Sequence, residues 1–170
     1  ILTPVKKWRK VMYNLDSALH RGKTIPKDKS GNGDWHYGFL TKVEESWYIT
    51  EKGKSYEVDP NTVGRFTCVY DENCEQIYEG DIVQLVNFQK GVVTHCCGSF
   101  GIGIMPYIDW DYLDSEIAPR TGCNNTSHFC CNDNYISLWE IMWNYNCEED
   151  YCNAVEIIGN IHDNPELLHK

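Results

Sequence analysis

Two short clusters of histidine and cysteine are the residues of this chain best suited to metal chemistry. They are His95-Cys96-Cys97 and His128-Phe129-Cys130-Cys131. Tetrahedral zinc prefers thiolate and imidazole ligands, and each cluster could lend two of them. Neither cluster has the C-x₂-C spacing, and adjacent cysteines on a strand face opposite sides of the sheet. We therefore expect no metal ion and no other cofactor, with reduced, partly buried cysteines; a zinc-stabilised interaction module is an alternative.

Two acidic segments are the next candidates for chemistry. Asp109-Trp110-Asp111 would place two carboxylates on one face of a strand, and Glu148-Glu149-Asp150 could hold a hard cation. Solvated acidic loops have the same composition. The sequence contains no phosphate-binding glycine loop and no nucleophile elbow. We therefore expect a protein that is not an enzyme and has no catalytic residues.

Aromatic and basic residues indicate a binding function instead. Aromatic residues make up 13% of the chain, and their flat faces can stack on a base or pack against a partner protein. A nucleotide also needs arginine or lysine beside the aromatic rings to bind its phosphates. The candidate ligand-binding residues are Arg21, Lys23, Trp35, Tyr37, Arg65, Arg120, Trp139 and Trp143. The four basic residues would bind a nucleotide, whereas Trp139 and Trp143 would anchor a partner protein.

The distribution of charge narrows the choice of partner. The net charge is −10, yet residues 1–29 contain eight Lys and Arg against two acids, which is about +6 and leaves about −16 for the rest. A protein that binds duplex DNA needs a broad basic face to release counterions. The charge distribution therefore argues against double-stranded DNA as a ligand. A single-stranded nucleic acid is an alternative, since small barrels often present a strand face to single strands.

No apolar run approaches the eighteen residues that a membrane span needs, and the first residues lack the apolar core of a signal peptide. We therefore expect an intracellular protein with no membrane partner. The chain has nine cysteines, an odd number that cannot pair completely, and a reducing cytoplasm would keep them as thiols.

The elements that would position these residues are mostly strands. Residues 1–20 form a basic segment with helical spacing of apolar residues from Val5 to Leu19. Residues 21–105 follow as a β core of short alternating segments, with a turn forced at Asp59-Pro60-Asn61. Both faces of Asp81–Phe88 are partly apolar, which suits a strand in a small barrel. The glycines between Gly98 and Ile104 permit a tight bend or the close approach of another backbone.

The last third of the chain changes character. Residues 106–153 form an acidic, cysteine-rich segment that we interpret as an insertion, with a helix from Asn134 to Asn146 that is apolar around most of its surface. Residues 154–170 return to a strand, expected to close the barrel, followed by a helical turn that starts at Asn164-Pro165. We predict a mainly β (α+β) fold: a small SH3-like or open β-barrel with an N-terminal helix and a helical insertion. Because one barrel would not cover the apolar helix, we also expect a homo-oligomer.

Four segments carry a resemblance to a known family. They are Gln76–Val83 (QIYEGDIV), Val155–Leu168 (VEIIGNIHDNPELL), Asp34–Gly38 (DWHYG) and Val58–Gly64 (VDPNTVG). Together they resemble the YopX-type family of small proteins from bacteriophages and prophages, over roughly residues 21–104 and 153–168. Cys74 stands where the family usually has a glycine, which would supply a positive φ at little cost. The resemblance implies a phage or prophage origin and a β-rich fold, and it implies no catalytic residue.

We therefore expect a non-enzymatic phage or prophage accessory protein that acts in the host bacterial cytoplasm. By association with phage accessory genes, its task would be counter-defence, by binding either a host signalling nucleotide or a host protein.

Overall fold

The computed structural model describes residues 19–26, 33–96, 98–105, 108–109, 111, 134–144, 147–148, 151–152 and 154–168. These residues form a mainly β protein. The chain divides into two compact units, residues 1–65 and 66–170. The predicted domain boundaries after residues 20, 105 and 153 stay predictions. In chain order the strands are β1 (His20–Lys23), β2 (Trp35–Val43), β3 (Ser46–Glu51), β4 (Lys54–Val58), β5 (Gly64–Asp71), β6 (Gln76–Tyr78), β7 (Asp81–Leu85), β8 (Lys90–Cys96), β9 (Ser99–Ile104), β10 (Tyr135–Ser137), β11 (Cys147–Glu148), β12 (Tyr151–Cys152) and β13 (Val155–Asn160).

The first unit is an antiparallel sheet in which β1, β2, β3 and β4 pair in sequence order. Two short hairpins connect the last three strands. In the second hairpin Lys52 and Gly53 both have positive φ, 47° and 79°, which is the backbone of a type I′ turn and matches the twist of the strands. The first two residues of β5 pair with β1 on its other edge. The short strands predicted for this part of the chain are confirmed, whereas the two hairpin turns were not predicted.

A short 3-10 helix, Pro60–Thr62, fixes the carboxyl end of β1. The Asp59 carboxylate accepts a hydrogen bond from the Asn61 amide at 2.9 Å and caps this helix. The Asp59 amide donates to the Lys23 carbonyl at 2.8 Å, and the Lys23 amide donates to the Thr62 hydroxyl at 2.8 Å. The turn predicted at Asp59-Pro60-Asn61 is therefore confirmed, and it holds the backbone of a candidate ligand residue.

The second unit contains a five-stranded sheet with the order β10-β9-β8-β7-β13. In the same unit β5 pairs with β6 in antiparallel and with β12 in parallel orientation. The apolar core lies on the five-stranded sheet and includes the fully buried side chains Ile77, Val83, Ile102 and Ile136. The prediction that Val155–Asn160 closes a barrel is wrong: β13 pairs with β7 alone and is an end strand, so among the described residues both sheets are open.

The helix predicted from Asn134 to Asn146 is shorter than expected. Tyr135–Ser137 is strand β10, which pairs with β9, and the helix α1 covers Leu138–Asn144. The Ser137 hydroxyl accepts a hydrogen bond from the Glu140 amide at 3.0 Å and caps the helix. Ile136 is fully buried in the sheet core. The segment is therefore not a separate helical insertion, because its apolar residues complete the sheet.

The N-terminal helix predicted over residues 5–20 lies outside the described residues, except that His20 begins β1. A second 3-10 helix, Pro165–Leu168, confirms the predicted helical turn near the end of the chain. Within the described ranges, no helix is long and apolar enough to cross a membrane.

One of the two glycines in β9 permits a close approach of another backbone, which is one of the two roles that their spacing suggested. A Cβ placed on Gly101 would stand 2.5 Å from Cζ of Tyr135 and would also collide with the carbonyl of Ile136. Gly103 is different, since the nearest atom to its Cβ position is 3.8 Å away. Gly101 is therefore the glycine that lets β10 and the Tyr135 ring pack against β9.

Candidate functional site

The pairing of β1 with β2 brings together four of the predicted ligand residues. Arg21 lies opposite Tyr37 and Lys23 lies opposite Trp35. Residues directly opposite each other in an antiparallel pair project to the same face, and so do residues two apart on one strand. Arg21, Lys23, Trp35 and Tyr37 therefore share one face of the first unit. We call these four residues the basic-aromatic cluster.

Both cations of the cluster lie on the same indole ring. The Arg21 guanidinium carbon is 4.8 Å and the Lys23 ammonium nitrogen is 5.5 Å from the centroid of the Trp35 ring. Both distances are within the range of a cation-π interaction. A third pair in the same unit, Lys42 over Trp47 at 5.6 Å, has similar geometry. Only in the cluster do two cations share one ring among the residues that the structure describes.

The basic residues of the cluster are more deeply buried than its aromatic residues. Arg21 and Lys23 are only 6% and 7% exposed, whereas Tyr37 is 39% exposed and Trp35 is partly buried. Salt screens a buried charge much less than a charge in open solvent. The cluster therefore combines partly exposed aromatic rings with two almost fully buried positive charges beside them.

The opposite face of the same sheet is packed. His36 stacks on Tyr56 with ring centroids 3.6 Å apart, and its Nδ1 lies 3.0 Å from a carboxylate oxygen of Glu51. Ile49 on this face is fully buried. The histidine is therefore held by its neighbours in the sheet, and the basic-aromatic cluster is on the face that has exposed aromatic rings.

The structure does not bring the other four candidates into the cluster. Arg65 lies opposite His20, so it projects to the face that carries His36 and not to the face of Arg21. Arg120 lies outside the described residues. Trp139 is in α1 of the second unit and is 58% exposed, which is contrary to a core position; Trp143 is in the same helix.

One residue of this face was not among the sequence candidates. Phe39 follows Tyr37 at the strand period of two and is 56% exposed. Trp35, Tyr37 and Phe39 thus form an aromatic row along one face of β2. The spacing of two between these aromatic residues is visible in the sequence. The sequence alone could not show which face of the strand would be covered.

The metal and acidic candidates lie partly outside the described residues. His95 and Cys96 are in β8, where His95 packs edge-on against Phe100, but Cys97 and residues 128–131 are not described. Among the described residues no group of three or more His, Cys, Asp or Glu side chains is placed to hold a metal ion. The zinc alternative therefore stays a prediction.

The second unit has a shallow cavity of about 230 Å³ between the ends of β7 and β13. Phe88 lines it and is 78% exposed. Sites for small molecules usually enclose roughly 300–1,000 Å³. The basic-aromatic cluster is therefore the stronger candidate, because it combines fixed charge with aromatic surface.

These observations define the class: a mainly β protein with open sheets that carries stacked cations and exposed aromatic rings on one sheet face. The family model described as YopX protein matches residues 19–169. The match covers most of the chain, so the chain belongs to the YopX protein family. It includes residues 106–153, which the sequence resemblance left out. A search of curated proteins found no match.

Proposed function

We propose that the chain is a non-enzymatic binding protein of phage or prophage origin whose basic-aromatic cluster binds a small nucleotide used in host defence signalling. One observation carries this proposal: Arg21 and Lys23 both lie within 5.5 Å of the Trp35 ring centroid, on a face with exposed aromatic side chains. A nucleotide presents the two complementary groups, a flat base and a phosphate.

The energies favour a small anionic aromatic ligand. Stacking of a base on an aromatic side chain contributes about 1–3 kcal/mol. Two positive charges beside the rings attract a phosphate, and their low exposure to solvent weakens the screening of that attraction. The whole chain has a net charge of −10, so a long polyanion would be repelled elsewhere on the molecule. A short ligand avoids that cost.

Isothermal titration calorimetry tests the proposal with ATP, cyclic AMP, cyclic GMP and cyclic di-AMP as probes. Arg21→Met and Lys23→Met remove one charge each and keep an aliphatic side chain. We expect each change to weaken binding of the preferred probe at least about tenfold, which corresponds to about 1.4 kcal/mol. Lys42→Met is the matched control, because Lys42 also lies over an indole, at 5.6 Å, but projects to the opposite face.

Two results would overturn the proposal. One is that the wild-type chain binds none of the four probes. The other is an equal loss of affinity in Arg21→Met, Lys23→Met and Lys42→Met. Thermal melting of each variant shows whether a loss of affinity reflects unfolding.

A second candidate function, docking on a host protein, is favoured by Trp139. This side chain is 58% exposed on α1, and exposed tryptophans are frequent anchors of protein interfaces. Trp139→Ala should then keep the fold and abolish retention of a host protein on immobilised chain. Phe88→Ala, which removes another exposed aromatic side chain of the same unit, should leave retention unchanged. Equal retention by all three chains would contradict docking through Trp139.

We further propose that the protein acts in the host bacterial cytoplasm and that it forms a homo-oligomer through the exposed surface of α1. Exposed tryptophan on a helix favours contact with a second copy. Sedimentation velocity should show a multimer for the wild-type chain and a smaller species for Trp139→Ala. A monomer at high concentration would contradict the oligomer.

A further inference from the structure

We infer that the ligand is a dinucleotide, with its second base stacked on the exposed part of the aromatic row formed by Trp35, Tyr37 and Phe39. This inference rests on the proposed function and specifies its ligand class. The ligand then extends from the basic-aromatic cluster along β2 to Phe39. A mononucleotide would leave the end of the row unused.

The aromatic row is long enough to contact more than one base. Trp35, Tyr37 and Phe39 share one face of β2, and residues two apart on a strand are about 6.6 Å apart. Exposure rises along the row, from partly buried Trp35 to 39% at Tyr37 and 56% at Phe39. Large apolar side chains grouped at a protein surface usually mark a binding site. The row is long enough for two bases.

Two hydroxyl side chains lie on the sheet beside Phe39. Phe39 lies opposite Thr50 of β3, and Thr50 lies opposite Ser55 of β4. The hydroxyls of Thr50 and Ser55 are 2.9 Å apart. Hydroxyl groups can donate to and accept from the edge of a base without adding charge. This part of the face therefore suits a base rather than a further phosphate.

The face that carries the aromatic row has few charged side chains in strands β1 to β4. The register of β1 to β4 places Arg21, Lys23 and Glu57 on this face, whereas Lys42 pairs with Trp47 and Lys54 pairs with Glu51 on the other. Arg21 and Lys23 lie beside Trp35 and Tyr37, and two cations match the two phosphates of a dinucleotide. Glu57 lies away from them in β4, in register with Tyr48 and Thr41. Proteins that bind long single strands use a basic groove that follows the backbone. Among the described residues, the charge on this face therefore matches a dinucleotide better than a longer strand.

The backbone between the two exposed rings is shaped by Gly38. A Cβ on this residue would collide with the carbonyl of Thr50. Gly38 thus lets β2 approach β3 closely at the point where its pairing changes from β1 to β3. The rings of Tyr37 and Phe39 lie on either side of this glycine, on the face away from that contact.

The test is a titration of the full chain with AMP, cyclic di-AMP and an eight-residue oligo(dA). Wild-type chain should bind cyclic di-AMP at least about tenfold more tightly than AMP, since one more base is stacked. Phe39→Ala should remove that advantage and leave AMP binding unchanged, whereas Trp35→Ala should weaken both. Phe88→Ala is the matched control for loss of an exposed phenyl ring and should change neither affinity. Phe39 is 56% exposed, so its removal should leave the fold intact in thermal melting.

The salt dependence separates a dinucleotide from a strand. For single strands the slope of log K against log salt is about −0.7 for each phosphate contacted, so two contacts give about −1.4. Equal affinities for AMP and cyclic di-AMP would overturn the dinucleotide inference and leave the proposed function intact. Tighter binding of the eight-residue strand with a steeper slope would also overturn it, in favour of single-stranded nucleic acid. No binding of any probe would overturn the proposed function itself.

Discussion

The guanidinium carbon of Arg21 lies 4.8 Å from the centroid of the Trp35 ring, across the pairing of β1 with β2. Lys23, directly opposite Trp35, approaches the same ring to 5.5 Å. One indole therefore holds two cations that are almost entirely removed from solvent. This relationship links the fold to the proposed site, since the register of two strands places the charge beside the aromatic row.

Removal of the Arg21 charge should also weaken the fold. A cation-π interaction contributes about 2 kcal/mol when it is desolvated and about 0.5–1 kcal/mol at an exposed site. Arg21→Met should therefore lower the free energy of unfolding in urea by about 2 kcal/mol. The Lys42 side chain is 48% exposed, so Lys42→Met should cost less than about 1 kcal/mol. Equal losses in the two variants would show that burial does not strengthen the Arg21 contact.

The two β9 glycines should respond differently to alanine. Gly101→Ala would force Tyr135 and the backbone of β10 to move, and overpacking of this kind costs about 1–3 kcal/mol. Gly103→Ala has room for the methyl group, with its nearest neighbour at 3.8 Å, and should change stability by less than about 0.5 kcal/mol. Chemical denaturation of both variants measures the difference. If Gly101→Ala were as stable as Gly103→Ala, close packing of β10 on β9 would be refuted.

Cys74 carries a backbone conformation that favours glycine. Its φ is 63°, in the left-handed region that costs a residue with a Cβ roughly 1–2 kcal/mol. Cys74→Gly removes that cost, and after the entropy that glycine loses on folding we expect a gain of about 0.5–1 kcal/mol. Cys74→Ala keeps the Cβ and should leave the melting temperature nearly unchanged. A gain in Cys74→Ala that matched Cys74→Gly would place the cause in the thiol instead of the backbone.

Asp71 organises the turn that contains Cys74. Its carboxylate accepts hydrogen bonds from the amides of Asn73 at 2.9 Å, Glu75 at 2.8 Å and Ile157 at 3.1 Å, and the residue is 1% exposed. Asp71→Ala would leave these donors without their acceptor.

We expect Asp71→Ala to lower the free energy of unfolding by about 3–5 kcal/mol, because several charge-assisted hydrogen bonds are lost together. Asp71→Asn keeps one acceptor oxygen and should lose less. Glu75→Ala, at an exposed position of the same turn, serves as the control and should be nearly neutral. Hydrogen exchange at Ile157 would rise in Asp71→Ala, and an unchanged rate there would contradict the link from the turn to β13.

The sequence predicted those parts of the fold in which local chemistry decides the structure. Asp59-Pro60 starts a capped turn because proline fixes φ and because the Asp59 carboxylate accepts a hydrogen bond from the Asn61 amide. At Cys74 the family resemblance implied a glycine, whose positive φ the structure shows for the cysteine as well. Such features depend on a few adjacent residues, so they can be inferred without knowledge of the partner strands.

The pairing of strands determines features of the fold and of the site that the sequence could not predict. Tyr135 and Ile136 fit the apolar pattern of the predicted helix, and only the pairing of Tyr135–Ser137 with β9 makes this segment a strand. Arg65 was predicted in the site on its charge, but its position opposite His20 turns it to the other face. Phe39 was missed for the same reason, since a strand's alternation does not show which face stays exposed.

Native mass spectrometry is the most direct test of the proposed binding function. The wild-type chain, Arg21→Met and Lys42→Met would each be incubated with an equimolar pool of mononucleotides and cyclic dinucleotides. We expect one nucleotide retained per chain by the wild type and by Lys42→Met, and a strongly reduced adduct for Arg21→Met. A wild-type chain that retains no nucleotide, or an Arg21→Met chain that retains as much as the wild type, would contradict nucleotide binding at the basic-aromatic cluster.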